Sequence, residues 1–201
     1  MVGLKNISTI KTPPRSRRPI FTSVKYFNWS TIFTRIETEL ARNGQVYFLN
    51  NDIGSIPSVV DKIKTRFKNH VVAGASGKMP PRELEKTVLG FFNARVDILV
   101  CTTIIESGLD VSNANTIIIE KPNFFGLSQL YQIRGRVGRS KIRAYCYLTY
   151  EQNHKITQQG EKRLKILSNI SSLGQGFSLA SQDLDIRGAG NLLGYEQSGQ
   201  I

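Results

Sequence analysis

The chain has 201 residues, of which 40% are apolar and 21% charged, a composition that indicates a folded globular protein and argues against disorder. No uncharged apolar run reaches the roughly 18 residues that a membrane span requires, and the amino terminus lacks the apolar block of a secretory signal, so a cytoplasmic protein is predicted. Lys and Arg number 27 against 15 Asp and Glu, and the net charge of +12 favours a polyanionic partner such as nucleic acid.

The first 18 residues form a basic segment in which two prolines and several arginines cluster between Thr12 and Arg18. Such a segment is predicted to be an extended connector. Six β-type runs follow it along the chain. They are Ile20–Phe27, Gln45–Asn50, His70–Ala73, Asp97–Cys101, Thr116–Glu120 and Ala144–Thr149. Most are nearly continuous in apolar residues, which is typical of strands buried on both faces.

Helical patterns separate these runs. They are predicted over residues 32–40, 56–67, 80–95 and 127–136, the third of them beginning at a Pro-Pro pair, which a first helical turn tolerates. The alternation of strands and helices predicts an α/β fold, with a parallel sheet covered by helices on both faces and right-handed crossovers. In such sheets, binding groups are expected at the carboxyl ends of the strands.

The character of the chain changes at about Tyr150. Residues 151–170 are polar, with an apolar stripe at Leu164, Ile166, Leu167 and Ile170. A glycine-punctuated segment without a strand pattern follows. Residues 151–201 are therefore predicted to form a helical hairpin and loop, and the absence of a helix cap at the last residue indicates that this appendage is truncated.

Two cysteines, Cys101 and Cys146, each lie in an apolar run, so we predict that both are core residues. The chain has only two histidines, His70 and His154. Together these residues do not make a set of zinc ligands, and the sequence predicts no metal ligands of its own.

The segment RGRVGR, residues 134–139, places three arginines within six residues. Glycines allow the backbone to approach a ligand closely, and guanidinium groups pair well with phosphate oxygens. A solvated basic turn is the alternative for any Arg-Gly-Arg sequence. The position of this segment, after a helical pattern and before a buried strand, favours an anion-binding role for its arginines.

The segment TTIIESGLD, residues 102–110, directly follows the predicted strand that ends at Cys101. Hydroxyl groups at the carboxyl end of a strand can bind phosphates, and Asp110 could accept a hydrogen bond from a ribose hydroxyl or orient an arginine. Taken alone, the segment is equally consistent with a capped turn between a strand and a helix.

In this order and spacing, the two segments resemble motifs V and VI of superfamily 2 helicases and translocases, and the strand GQVYFLNN resembles motif IV of that family. The resemblance implies that residues 19–150 are the second RecA-like lobe of a motor and that residues 1–18 connect it to a first lobe. In this family, ATP lies in the cleft between the two lobes.

Residue roles follow from the same resemblance. Arg136 and Arg139 match positions that contact nucleotide phosphates, with Arg139 as the arginine finger. Gln132 opens motif VI, and Gly108 and Asp110 match the nucleotide-facing part of motif V.

Thr102 and Thr103 match strand-end hydroxyls that contact the nucleic-acid backbone in the family. The carboxyl-terminal segment GFSLASQDLDIRGAGNLLGYEQSG resembles the TRG motif, which is shared by bacterial transcription-repair coupling factors and RecG fork-remodelling helicases. In those proteins this motif couples closure of the lobes to movement on duplex DNA, and Arg187 and Gln197 match its coupling residues. The turn RGAG, in place of RGPG, favours the coupling-factor family, and the RecG type is the alternative.

Parts of such a motor are missing from the sequence. No phosphate-binding G-x-x-x-x-G-K-[ST] motif occurs; the nearest segment, Gly74–Met79, ends in Met and carries Ser76 and Lys78 where relatives often have His and Gln. We therefore expect a first lobe to bind ATP and Mg²⁺, and the chain alone to be inactive. The resemblance implies double-stranded DNA and a first RecA-like lobe as partners, with RNA polymerase and excision-repair proteins reached through other modules; a non-catalytic DNA-binding fragment is the alternative.

Overall fold

The computed structural model describes residues 19–102, 111, 113–151 and 158–169. Within these ranges six strands form one sheet. They are β1 (Phe21–Tyr26), β2 (Gln45–Leu49), β3 (Val72–Ala75), β4 (Ile98–Cys101), β5 (Ala114–Glu120) and β6 (Tyr145–Tyr150). The spatial order is β1-β6-β5-β2-β4-β3, and every neighbouring pair is parallel. The predicted parallel sheet is confirmed.

Five α-helices accompany the strands in the described part of the chain. They are α1 (Trp29–Leu40), α2 (Ile56–Arg66), α3 (Pro81–Phe92), α4 (Leu127–Arg134) and α5 (Gln158–Asn169), with short 3₁₀ turns at Ile53–Ser55 and Pro122–Phe124. Local chemistry sets several of these boundaries. The side chain of Asn28 accepts hydrogen bonds from the amides of Ser30 and Thr31 and so caps α1.

Helices cover the sheet on both faces, as predicted. Because successive side chains of a strand point to opposite faces, β2 contributes Val46 and Phe48 to one apolar core and Tyr47 and Leu49 to the other. The first core includes residues of α1 and α2, and the second includes residues of α3, α4 and α5. Burial on both faces explains the uninterrupted apolar character of the central strands.

Most element boundaries differ from the predicted ones by a few residues, and three of the differences have a local explanation. The third strand begins at Val72, not His70, because the amide of His70 donates to the carbonyl of Phe67 and closes a turn after α2. Helix α3 ends at Phe92, because Ala94 takes a left-handed backbone with φ of 55°. Helix α4 ends at Arg134, because the chain turns at Gly135.

Residues 1–18, predicted as a connector, and residues 170–201, which include the segment resembling the TRG motif, lie outside the described residues. In the part of the chain that is described, no helix combines the length and apolar character needed to cross a bilayer.

Candidate functional site

Helix α4 carries the start of the arginine-rich segment and is fixed by its inner face. Leu127, Leu130 and Ile133 are buried in the core that the helix shares with the sheet. Gln132 lies on the opposite side of the helix and is exposed. The helix therefore holds Gln132 at the surface immediately before the arginines begin.

Arg134 is the most deeply buried of the three arginines of the segment. Its side chain is 1% exposed, its guanidinium lies 4.9 Å from the centre of the Tyr131 ring, and Nη1 donates to the carbonyl of Leu167 at 3.2 Å. Burial lowers the pKa of Arg134 from its ordinary value. Arg134 therefore has a structural role in this fold, and phosphate binding stays a prediction for Arg136 and Arg139.

After α4, the chain alternates between buried and outward-facing residues. Val137 and Gly138 are buried, Arg136 is half-buried and Arg139 is exposed. Gly138 has a φ of 77°, and a Cβ atom at this position would lie 2.9 Å from Cβ of Ala144. Only glycine fits this backbone without strain. The buried Val137-Gly138 pair thus anchors a loop on which Arg139 reaches the surface.

This arginine loop, residues 135–140, is attached to the amino end of β5. The amide of Gly138 donates to the carbonyl of Ala114 at 3.4 Å, and Oγ of Ser140 donates to Oδ1 of Asn115 at 2.8 Å. Binding groups were expected at the carboxyl ends of the strands, whereas the loop that carries Arg139 lies at the amino end of β5. The reason is that α4 runs back along the sheet after β5, so its carboxyl terminus delivers the arginines to the amino-end edge.

Thr102 lies at the other edge of the sheet, directly after β4. It is 8% exposed, and its amide donates to the carbonyl of Ala75 at 3.3 Å. The two strands that flank β4 are also followed by buried polar residues, Asn50 after β2 and Ser76 after β3. Strand registers place Thr102 about five residues above Asn115, or about 17 Å along the strand direction. The arginine loop and the Thr102 edge are therefore separate surfaces.

Acidic residues collect near the carboxyl end of β5. Burial raises the pKa of Glu120 above its ordinary value; Lys121 opposes this shift, and Glu151 and Asp52 reinforce it. Lys121 is itself paired with Glu151 at 3.0 Å. This part of the carboxyl edge is therefore less suited to polyanions than the arginine loop.

The structure thus brings Gln132, Arg136 and Arg139 together on one helix and its following loop, with Thr102 at a distance. The remaining predicted site residues, Thr103, Gly108, Asp110, Arg187 and Gln197, lie outside the described residues. In the described ranges, no group of three or more His, Cys, Asp or Glu side chains is arranged to hold a metal ion.

Asn115 and Ser140 were not identified from the sequence, although they hold the arginine loop in place. The available signal was the single amide in the mostly apolar, buried strand ANTIIIE. A buried polar side chain in such a strand requires a hydrogen-bonding partner, which indicates a specific contact.

Comparison with known proteins identifies relatives across the whole chain. Residues 31–141 match the family described as Helicase conserved C-terminal domain. The chain is 47% identical over 201 residues to a transcription-repair-coupling factor of Myxococcus xanthus and 48% identical to that of Bacillus subtilis. Each comparison covers 100% of this chain and 17% of the relative, so the chain corresponds to a small part of those proteins.

Solved structures agree with this assignment. RecG bound to a three-way DNA junction superposes with a TM-score of 0.75 and 31% sequence identity, covering 89% of this chain and 24% of RecG. Domain 2 of the DEAD-box helicase Mss116p, bound to an RNA duplex, superposes with a TM-score of 0.56 over 83% of this chain and 69% of that structure. Because the sequence identity to Mss116p is only 19%, that comparison supports the fold and not a shared function.

Proposed function

The chain belongs to the helicase conserved C-terminal domain family and is homologous to the corresponding region of transcription-repair-coupling factors, and on that basis we propose that it is the second motor lobe of an ATP-driven double-stranded-DNA translocase acting in transcription-coupled repair. The observation that carries the proposal is the exposed Arg139 on a loop fixed to the sheet by Gly138 and Ser140. An exposed arginine on a loop that is attached to the sheet is suited to a ligand bound by another polypeptide.

Arg139 would act as an arginine finger on ATP held by a first lobe. A guanidinium placed against the γ-phosphoryl group stabilises the charge that develops there during hydrolysis, which is worth about 10³ to 10⁵ in rate in related phosphoryl transfers. Arg136, half-buried on the same loop, would contact the phosphates in the ground state, and Gln132 would face the nucleotide from α4. In this proposal Gly108 and Asp110, from motif V, complete the nucleotide-facing set.

Duplex DNA would bind at the opposite edge of the sheet. Thr102, with Thr103 after it, would donate hydroxyl hydrogen bonds to backbone phosphates, which position a protein on DNA without reading its sequence. The net charge of +12 supports this partner. Separate edges for ATP and DNA would let lobe closure over the nucleotide move the DNA edge, with Arg187 and Gln197 transmitting the stroke.

The proposal includes inactivity of the chain on its own. The sequence has no phosphate-binding G-x-x-x-x-G-K-[ST] motif, so the ATP phosphates and Mg²⁺ would be held by a first lobe. The Mg²⁺ ion would neutralise phosphate charge there. Contacts with RNA polymerase and excision-repair proteins would likewise come from other parts of the motor.

Reconstitution tests this function. The chain is assayed for duplex-stimulated ATP hydrolysis alone, and then with a first RecA-like lobe supplied as a fusion or as a separate polypeptide. We expect turnover only in the joined form, together with ATP-dependent displacement of a third strand from a DNA triplex. Salt-sensitive DNA binding without turnover in the joined form would instead support a non-catalytic DNA-binding fragment.

A RecG-type fork-remodelling motor is the second candidate, favoured by the superposition on RecG bound to a three-way junction. Substrate preference separates the two. We expect a transcription-repair motor to displace a stalled RNA polymerase from linear DNA and a RecG-type motor to hydrolyse ATP fastest on a branched DNA such as a three-way junction. Preference of the reconstituted motor for three-way junctions over linear duplex would favour the RecG type.

A further inference from the structure

Asn115 is a fully buried amide in a strand of apolar side chains. It is 0% exposed and lies second in β5, between Ala114 and Thr116. Burying an amide without hydrogen-bonding partners costs several kcal/mol. Both ends of its side chain are used: Nδ2 donates to the carbonyl of Asn113 at 3.1 Å, and Oδ1 accepts from Oγ of Ser140 at 2.8 Å.

Ser140 carries this connection into the arginine loop. Its hydroxyl donates to Asn115 and accepts from the amide of Ile142 at 3.2 Å, so its orientation is set from both sides. Next to Asn115, the carbonyl of Ala114 accepts from the amide of Gly138 at 3.4 Å. Two adjacent residues of β5 therefore hold the loop at positions 138 and 140, on either side of Arg139.

We propose that Asn115 is a positioning residue for Arg139, acting through Ser140 to hold the arginine finger in its reactive place. This inference rests on the proposed function, because it requires that Arg139 act on the nucleotide. The attachment at Gly138 is made by backbone atoms and is independent of side-chain identity. The attachment at Ser140 is made by two side chains, and substitution can remove it while leaving Arg139 itself intact.

Loss of the Ser140 attachment should affect turnover more than nucleotide affinity. An arginine finger acts on charge that appears in the transition state, and a displacement of about 1 Å can cost as much as about 100-fold in rate. ATP binding in the ground state would depend mainly on the first lobe. We therefore expect a lower kcat at a nearly unchanged KM for ATP. Because a partly unfolded sample would lower the apparent kcat in the same way, the comparison requires that each variant be folded.

The test uses the chain joined to a first lobe and measures duplex-stimulated ATP hydrolysis for Ser140→Ala, Asn115→Ala and the double variant. Ser140→Ala is the milder change, because Ser140 is only half-buried. Asn113→Ala is the matched control: it removes an asparagine side chain two residues away that donates to the carbonyl of Asn43 and not to the arginine loop. Thermal unfolding of each variant confirms that it is folded at the assay temperature.

We expect Ser140→Ala and Asn115→Ala each to lower kcat by about tenfold or more, with KM for ATP changed by less than about twofold. The double variant should be no slower than the slower single one, because both changes remove the same attachment. Asn113→Ala should retain the parent kcat. If folded Ser140→Ala keeps the parent kcat while Arg139→Ala does not, the positioning role is wrong and the proposed function stands. If Arg139→Ala also keeps the parent kcat, both are overturned.

Discussion

Nη1 of Arg134 donates a hydrogen bond to the carbonyl oxygen of Leu167 over 3.2 Å, joining the end of α4 to the last turn of α5. Carbonyl groups in a last helical turn lack amide partners within the helix, and a cation near them is favourable. One arginine of the RGRVGR segment therefore stabilises the fold, whereas the proposal assigns the phosphate contacts to Arg136 and Arg139.

Arg134→Ala should lower the free energy of unfolding by about 2–4 kcal/mol, because it removes the contact with the Tyr131 ring, the hydrogen bond to Leu167 and a buried side chain. Urea-induced unfolding followed by circular dichroism measures the change. Arg143 is an exposed arginine shortly before β6. Arg143→Ala should therefore change the free energy of unfolding by less than about 0.5 kcal/mol. Equal stability of the two variants would contradict the structural role of Arg134.

Gly138→Ala should destabilise the chain by about 1–3 kcal/mol. A left-handed backbone costs a non-glycine residue about 1–2 kcal/mol, and the new Cβ would also press on Cβ of Ala144 at 2.9 Å. Gly54→Ala is the control, since a Cβ there lies at an ordinary 3.4 Å from Oδ1 of Asp52. Thermal unfolding should show a lower Tm for Gly138→Ala alone; a parent-like Tm would mean that the loop does not have this backbone.

Both cysteines should resist thiol reagents in the folded chain. Burial raises the pKa of Cys146 to about 12 and raises that of Cys101 as well. At pH 8 the reactive thiolate would then make up on the order of 10⁻⁴ of the Cys146 side chains. Both cysteines are also buried, so the reagent cannot reach them in the folded chain. Maleimide labelling followed by mass spectrometry should give no adduct in buffer and two adducts in denaturant. Rapid labelling without denaturant would show that a cysteine is outside the core.

Glu120→Gln should stabilise the chain at neutral pH. Because burial raises the pKa of Glu120, the folded state binds its proton more tightly than the unfolded state does. The stability that comes from this tighter proton binding is fully present below the ordinary carboxyl pKa and is lost as pH rises through the raised pKa. The neutral glutamine avoids this loss.

Urea unfolding of parent and Glu120→Gln at several pH values measures this difference. The increase in the free energy of unfolding caused by Glu120→Gln should be largest near pH 7 and should shrink towards roughly pH 4, where the carboxyl group is protonated. Glu37→Gln, at an exposed position of α1, controls for the change in net charge. A gain that is constant across this range, or a loss at pH 7, would show that Glu120 does not have a raised pKa.

The sequence was sufficient to predict the sheet, because its central strands are buried on both faces and therefore apolar without interruption. Val46 to Leu49 shows this most clearly, with alternate side chains entering the two cores. Boundaries were less predictable where backbone conformation decides them. The early end of α3 depends on the left-handed conformation of Ala94, which residue type does not indicate.

The site was predictable only in part. The resemblance to motif VI assigned Arg136 and Arg139 to the nucleotide phosphates. The burial of Arg134 depends on its side-chain conformation against Tyr131 and on a hydrogen bond to α5 that spans 33 residues, and the local sequence indicates neither. The placement of the arginine loop at the amino edge depends on how α4 returns along the sheet. The contact between Asn115 and Ser140 joins residues 25 positions apart, so the local sequence shows an amide in a buried strand but not the partner of that amide.

The most direct test of the account compares Arg139→Ala with Arg143→Ala in the chain joined to a first lobe. Both variants remove one exposed arginine from the same edge and change the net charge equally. Duplex-stimulated ATP turnover should fall by about 10³-fold or more for Arg139→Ala and remain at the parent level for Arg143→Ala. Parent-like turnover of Arg139→Ala would contradict the proposal that this lobe supplies an arginine finger.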